Sequence, residues 1–270
     1  MKEREREGER ERERAGETER GRELSARRTL CDRWRMAGRS IIPGTAVGGG
    51  AAAAAGSGRA AISFYQLVSK MKTTPRTGWV NNCIPSPESI ADHSYRVAMM
   101  AMVAAPIMGL DVGKCVSMAI AHDLAESIVG DITPRDPVTK EEKRDMEHAA
   151  MQDIRSMIDG VTTVPSDTAA TDCPDKKSGS GERSIGSYVE SLWREYDDGE
   201  SSEAILLKDL DKLEMILQAH EYEVANDRYD LDSFFDSTRG NFRTSVGREW
   251  AEEVERLRNE RHGAPERGGS

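Results

Sequence analysis

Paired cysteines are missing from this chain. Its four cysteines, Cys31, Cys83, Cys115 and Cys173, are scattered, and none sit in a C-x-x-C spacing. That argues against a zinc finger or a disulfide framework and makes a reducing compartment the default. Long apolar runs are missing too. The longest, "VAMMAMVAAPIM" (Val97–Met108), is too short to span a bilayer and is interrupted by Pro106. No secretory signal opens the chain, no internal repeat recurs, and no segment alternates convincingly as a strand. Acidic residues are absent from Arg33 to Pro87. With Arg, Ser and Ala in its first part, that stretch resembles an organelle transit peptide, a role that requires translation to start near Met36. Otherwise the expected location is the cytoplasm.

What is present divides unevenly over the 270 residues. "MKEREREGERERERAGETERGRE" is a low-complexity Arg/Glu run, and "GTAVGGGAAAAAGSGRA" reads as a flexible small-residue linker. Neither can bury enough apolar surface to offset its ordering entropy, so residues 1–60 are expected to be a disordered leader. The body, from about residue 61 to 262, is long enough for one core. Residues 263–270 are expected to be a disordered tail. The chain carries a net charge of −10 while its first sixty residues are net basic, so the body is acidic. An acidic body argues against binding a nucleic-acid polymer, but not against a small phosphorylated substrate.

The body reads as helix nearly throughout. Ile62, Tyr65, Val68 and Met71 recur at three-residue spacing and predict an amphipathic helix. Pro75, Gly78, Pro85 and Pro87 break the next stretch, and Ser86–Pro87 predicts a helix start, with the helix running from about Glu88 to Ala105. A third helix is expected over Val112–Val129, ended by "GDITPRDP". Thr139 and Glu142 form a capping-box pattern for a fourth, to about Ile158. The polar stretch "DGVTTVPSDTAATDCPDKKSGSGERS" predicts a mobile insertion over about 160–184. Helices at about Ile185–Tyr196, Ser202–Glu223, Leu231–Thr238 and Ser245–Arg261 complete an all-α compact bundle.

One stretch resists a purely structural account. "AHDLAESIVGDI" (Ala121–Ile132) places His122, Asp123, Glu126 and Asp131 together in an otherwise apolar helix pattern. His93 has the same out-of-place character in "SIADHSYRVAMMAM", and so does Asp211 in "AILLKDLDKLEMIL". A lone core His is most often bonded to a carbonyl, and a lone Asp is often a cap. Carboxylates in helix interiors, however, need an opposite charge, which neutral imidazoles do not supply and a divalent cation does. Two His and two Asp suit Mn, Fe, Co, Ni or Zn better than Ca or Mg.

These residues resemble the H…HD…D signature of HD-domain metal-dependent phosphohydrolases. "RTGWV", "PESIADHSYRVAMMAMV", "AHDLAESIVGDITP", "KEEK" and "LKDLDKLEMILQAHEYE" further resemble, in order, the 5'-deoxynucleotidase branch, the HD-domain-containing protein 2 group, over about Phe64–Arg258. The resemblance implies a mostly helical HD-domain bundle. It also implies hydrolysis of deoxyribonucleoside 5'-monophosphates to nucleoside and phosphate, and a homodimer, for which the apolar surface of Ser202–Glu223 is a candidate. Its metal ligands map to His93, His122, Asp123 and Asp211, holding one divalent ion such as Mn or Co. Its acidic pair maps to Glu126, which would position or deprotonate water, and to Asp131, which would protonate the leaving 5'-oxygen or hold a sugar hydroxyl. The family's Arg-Trp pair for phosphate and sugar is matched at Trp79. Gly78 stands where the Arg would be, so Arg76 is the candidate substitute and Arg96 a second phosphate contact. Dinuclear relatives need further histidines; the candidates here, His148, which looks like a surface residue, and His220, are not expected to bind metal. The alternatives are an HD phosphohydrolase acting on another nucleotide and a non-enzymatic metal-binding interaction module.

Overall fold

The computed structural model describes residues 57–162 and 184–263, all helices, turns and loops. Ten helices are described: α1 Ser57–Val68, α2 Thr77–Asn81, α3 Ile90–Ile107, α4 Val112–Ala121, α5 Glu126–Val129, α6 Lys140–Thr162, α7 Ile185–Asp198, α8 Ser202–Ala225, α9 Asp232–Thr238 and α10 Ser245–Gly263. A 3-10 turn, Ser69–Lys72, follows α1. Among the described residues the only strand-like contact is an isolated bridge between Pro75 and Ser89. None of these helices is long and apolar enough to cross a membrane. The leader expected over 1–60 lies almost wholly outside the described residues, as do most of the insertion and the tail.

Local chemistry sets the helix ends. Ser89 accepts a hydrogen bond from Asp92 N, and Asp92 Oδ2 accepts from Ser89 N, a capping box that starts α3. The start expected at Ser86–Pro87 is therefore three residues too early. Ser86 instead takes positive φ, 54°, whereas an N-cap typically takes extended backbone, as Ser89 does. The Thr139–Glu142 capping box forms as expected, with Glu142 N donating to Thr139 Oγ1 at 3.1 Å. α6 then runs to Thr162, past Ile158 and into the segment expected to be an insertion. Gly199, at φ 65° and ψ 29°, ends α7 in the left-handed conformation that glycine adopts without strain.

The helix expected over Val112–Val129 does not run through. α4 stops at Ala121, and His122–Ala125 form a turn with three-residue bonds, Leu124 N to Ala121 O and Glu126 N to Asp123 O. His122 Nδ1 lies 2.7 Å from Ala119 O and so uses the carbonyl of the preceding turn, a side-chain competition that disfavours helix continuation. The His-Asp pair consequently sits on a tight turn between α4 and α5.

Two apolar clusters build the interior. The larger gathers α3, α4, α8, α9 and α10 around Val97, Met118, Leu206, Leu207, Leu210, Ile216 and Phe235. Ala98, Ala101, Ala104 and Ala105 give α3 the slim face that lets helices approach closely. The smaller joins α1 and α6 to the first residue of α3 through Met71, Ile90, Met151, Ile154 and Ile158. Each large side chain buried here contributes about 1.5–3 kcal/mol. Phe64, Leu67 and Val68 form the half-buried side of α1 that packs on this cluster, whereas Ile62 and Tyr65 are 58% and 61% exposed. The three-residue spacing thus set the stripe about one residue off at its start. Ala119 and Ala121 belong to the larger cluster, Leu124 and Ala125 to the smaller. The turn between them spans the seam.

Candidate metal centre and active site

A cavity of about 960 Å³ opens at that seam, and its wall includes Arg76, Trp79, His122, Asp123, Glu126, Asp131 and Asp211. His93, from α3, is fully buried behind the wall. Its Nε2 reaches within 3.2 Å of Asp211 Oδ1 and 3.7 Å of Asp123 Oδ2. His122 Nε2 lies 3.2 Å from the same Asp123 Oδ2, and the two imidazole rings are 5.4 Å apart. The ligand candidates from α3, the turn after α4, and α8 therefore converge.

The donor set can be tested against a cation on its unsatisfied atoms. His122 Nδ1 is bonded to a carbonyl oxygen, so it carries the proton and leaves Nε2 with the lone pair. His93 Nδ1 is 2.5 Å from Glu214 Oε2. Both Nε2 atoms are buried and neither makes a well-formed hydrogen bond, although a carboxylate oxygen lies 3.2 Å from each. Buried polar atoms without well-formed bonds are rare, and two of them aimed at shared carboxylates fit a divalent cation. His93, His122 and Asp123 offer ligand atoms within 4.8 Å of one another. Asp211 joins them through His93.

The charged groups at the site act strongly on one another. Burial and Arg76 press His93 toward neutrality, yet the carboxylates of Asp211 and Glu214 beside it outweigh them and raise it to about 9, giving the ring a second proton that a bound cation would displace. Burial opposes ionisation of Asp123, but His122, Arg76 and His93 hold it well below the usual carboxylate range. Asp211 is held low against burial mainly by the adjacent His93 imidazole. Glu126 moves the other way, raised well above its ordinary value by burial, Asp123 and Asp131, while Arg76 and Lys143 oppose the rise. Its Oε2 is buried and without a hydrogen-bond partner.

Arg76, the residue just before α2, brings its guanidinium 3.2 Å from Asp123 Oδ2 and 4.0 Å from Asp211 Oδ1. Asp131 Oδ2 accepts from Thr77 N at 2.7 Å, and Thr77 Oγ1 donates to Asp131 O, which ties the loop after Gly130 to the start of α2. Trp79 is buried between Phe234 and Tyr222. Its Nε1 donates to Glu88 Oε1 at 2.8 Å. Burial and Glu214 raise Glu88 to about 7, against the Trp79 bond.

Arg96 is placed elsewhere. It is not part of the cavity wall, and it binds Glu221 at 2.9 Å, Glu214 at 3.2 Å and Gln218. It stands behind His93 as a partner of Glu214 rather than facing a substrate phosphate. His148 is half-buried, not a surface residue, and meets Trp193 edge-on at 4.8 Å. Neither it nor His220 lines the cavity.

Three residues beside the site were not singled out from the sequence. Glu214 follows Asp211 by one helical turn on α8, a spacing that could have flagged it. Tyr196 donates to Asp211 Oδ2 at 2.7 Å, and burial raises its hydroxyl pKa well above the usual value. Lys143 Nζ donates to Ile132 O at 2.9 Å from α6. Both contacts cross between elements, where spacing carries no signal.

The family model described as "HD domain" matches residues 68–254. 5'-deoxynucleotidase HDDC2 of Dictyostelium discoideum is 41% identical over 192 residues, covering 67% of this chain and 89% of the relative. Its Homo sapiens namesake is 40% identical over 182 residues, covering 67% and 78%. Among solved structures, the PH0347 protein from Pyrococcus horikoshii OT3 is similar with a TM-score of 0.55 and 29% identity, covering 73% of this chain and 98% of that one. The matched span holds the cavity and every candidate ligand, and with a family model over more than half its length and relatives at about 40% identity this chain belongs to the HD-domain family.

Proposed function

We propose that this chain is a metal-dependent 5'-deoxynucleotidase that hydrolyses deoxyribonucleoside 5'-monophosphates to deoxynucleoside and phosphate. One observation carries the proposal. Two buried imidazole Nε2 atoms and the carboxylates of Asp123 and Asp211 meet beside Glu126 and Asp131 in one cavity. Relatives of this chain at about 40% identity are named 5'-deoxynucleotidases.

His93, His122, Asp123 and Asp211 would hold one divalent ion, Mn or Co being suited to the donor set. Such an ion supplies Lewis-acid charge against phosphoryl oxygens and acidifies water. Arg76 adds a fixed cation beside the same carboxylates and would orient the phosphate. Glu126 accepts the proton of the attacking water and passes it on to the leaving 5'-oxygen, so that nucleoside and phosphate are released. Asp131 receives the sugar end. Its Oδ2 already accepts the Thr77 N–H, which favours holding a sugar hydroxyl over protonating the leaving oxygen. Trp79 and Phe234 form an apolar wall for the deoxyribose.

The expected homodimer would use α3 rather than α8, whose apolar residues are mostly internal. Tyr95, Met99, Met102, Val103 and Ile107 are between 42% and 69% exposed and share one helix face. From Val97 to Ile107 that helix has no charged residue, so two copies can meet there without like-charge repulsion. Sedimentation of the protein and of Met102→Glu distinguishes dimer from monomer.

The deciding assay is phosphate release from deoxy- and ribonucleoside 5'-monophosphates, with Mn or Co and with chelator. Metal-dependent release favouring deoxynucleotides, lost in Asp123→Ala, supports the proposal. Folded, metal-loaded protein that releases no phosphate overturns it in favour of a binding module.

A further inference from the structure

Tyr196, on the wall of the cavity, is held on three sides. Its hydroxyl donates to Asp211 Oδ2 at 2.7 Å. Its ring meets His122 edge-on, with centroids 5.0 Å apart. Lys208 Nζ lies 4.3 Å over the ring, a cation–π contact that adds to its fixation. The same side chain therefore touches two of the residues assigned to the metal, from a helix that contributes no ligand.

The two oxygens of Asp211 have different surroundings. Oδ2 faces the phenol. Oδ1 stands 3.2 Å from His93 Nε2 and 4.0 Å from Arg76 Nη2, toward the shared carboxylate of Asp123. A carboxylate turns readily about its last torsion, and unrestrained it can offer a cation either one oxygen or both. A second oxygen would fill a coordination position, and a catalytic site has to keep one open for water or substrate.

We propose that Tyr196 is a positioning residue that restrains Asp211 to a single metal-facing oxygen, Oδ1, and so keeps a coordination position free. The proposal rests on the assignment of His93, His122, Asp123 and Asp211 as the metal centre. Tyr196→Phe isolates it, because the phenylalanine ring keeps both the His122 and the Lys208 contacts and removes only the hydroxyl.

The test uses the full chain and cobalt(II) alone, read by visible absorption and by competition with a chromophoric chelator. Tyr188→Phe, a 46% exposed position on the same helix, serves as control. In Tyr196→Phe the cobalt bands should weaken, as they do when the ion gains ligands, and affinity should fall about tenfold or more, while Tyr188→Phe matches the unaltered protein. Lys208→Met, which frees the ring but keeps the hydroxyl, should move the bands less and in the same direction. It decides the matter if thermal melting shows that Tyr196→Phe does not fold. Cobalt bands and affinity unchanged in the folded variants overturn the proposal. If the unaltered protein binds no cobalt, the metal assignment itself fails and the proposal falls with it.

Discussion

Glu214 Oε2 lies 2.5 Å from His93 Nδ1, and both side chains are fully buried. The carboxylate fixes the ring so that Nε2 points to Asp123 and Asp211. Arg96 Nε, 3.2 Å from the other oxygen of Glu214, supplies the counter-charge. Glu214→Gln keeps the shape and removes the charge. Metal affinity should fall ten- to a hundredfold, measured by chelator competition, with little change in far-UV circular dichroism. An affinity equal to that of the unaltered protein would show that Glu214 has no hold on the ligand.

Glu126 and Asp123 should separate in their effects. Glu126→Gln is expected to bind metal normally and to lose about a hundredfold or more in turnover, the scale of a missing general base. Asp123→Ala should lose metal and turnover together. Titrating metal and phosphate release side by side on the two variants tests this; equal loss of metal in both would place Glu126 among the ligands.

Away from the cavity, Asp209 is fully buried and accepts from Arg243 N, Thr244 N and Thr244 Oγ1 at 2.7–2.8 Å. Removing it leaves buried donors without an acceptor. Asp209→Ala should cost about 3 kcal/mol in urea unfolding. Gly247→Ala attacks the same knot sterically, because an added Cβ would sit 2.7 Å from Asp209 Oδ2 and 2.8 Å from Thr244 Oγ1. It should cost about 1–3 kcal/mol.

Cys115 gives a pH signature. Burial, with Glu203 and Asp111 nearby, pushes its thiol up to about 11. The unfolded thiol ionises near its ordinary value, so between about pH 9 and 11 the folded state binds more protons than the unfolded state. Its contribution to stability is complete below that window and falls as pH rises through it. The difference in urea midpoint between the unaltered protein and Cys115→Ala should therefore narrow across the window. A difference that stays constant to pH 11 would contradict the shift.

The bundle could be read from the sequence wherever periodicity and caps agreed. The Thr139–Glu142 box is a local device, and α6 begins where it stands. The residues with out-of-place polarity, His93, His122, Asp123 and Asp211, lie close together beside one cavity. The break after Ala121 was hidden because no Gly or Pro marks it; a His-to-carbonyl bond sits there instead. Arg96 could not be placed from sequence, since its partners Glu214, Gln218 and Glu221 lie on another helix. Tyr196 was invisible for the same reason.

The turn that carries His122 and Asp123 has one flank in each apolar cluster, and α3 likewise runs from Ile90 in the smaller to Val97 in the larger. A cation held there would rivet the two halves of the molecule, binding the folded state alone. At a free concentration a hundred times its dissociation constant, such a ligand adds about 2.7 kcal/mol of stability. Chelation would then loosen α1 and α6 as well as silence the site, so the melting temperature of this protein becomes a gauge of its metal occupancy.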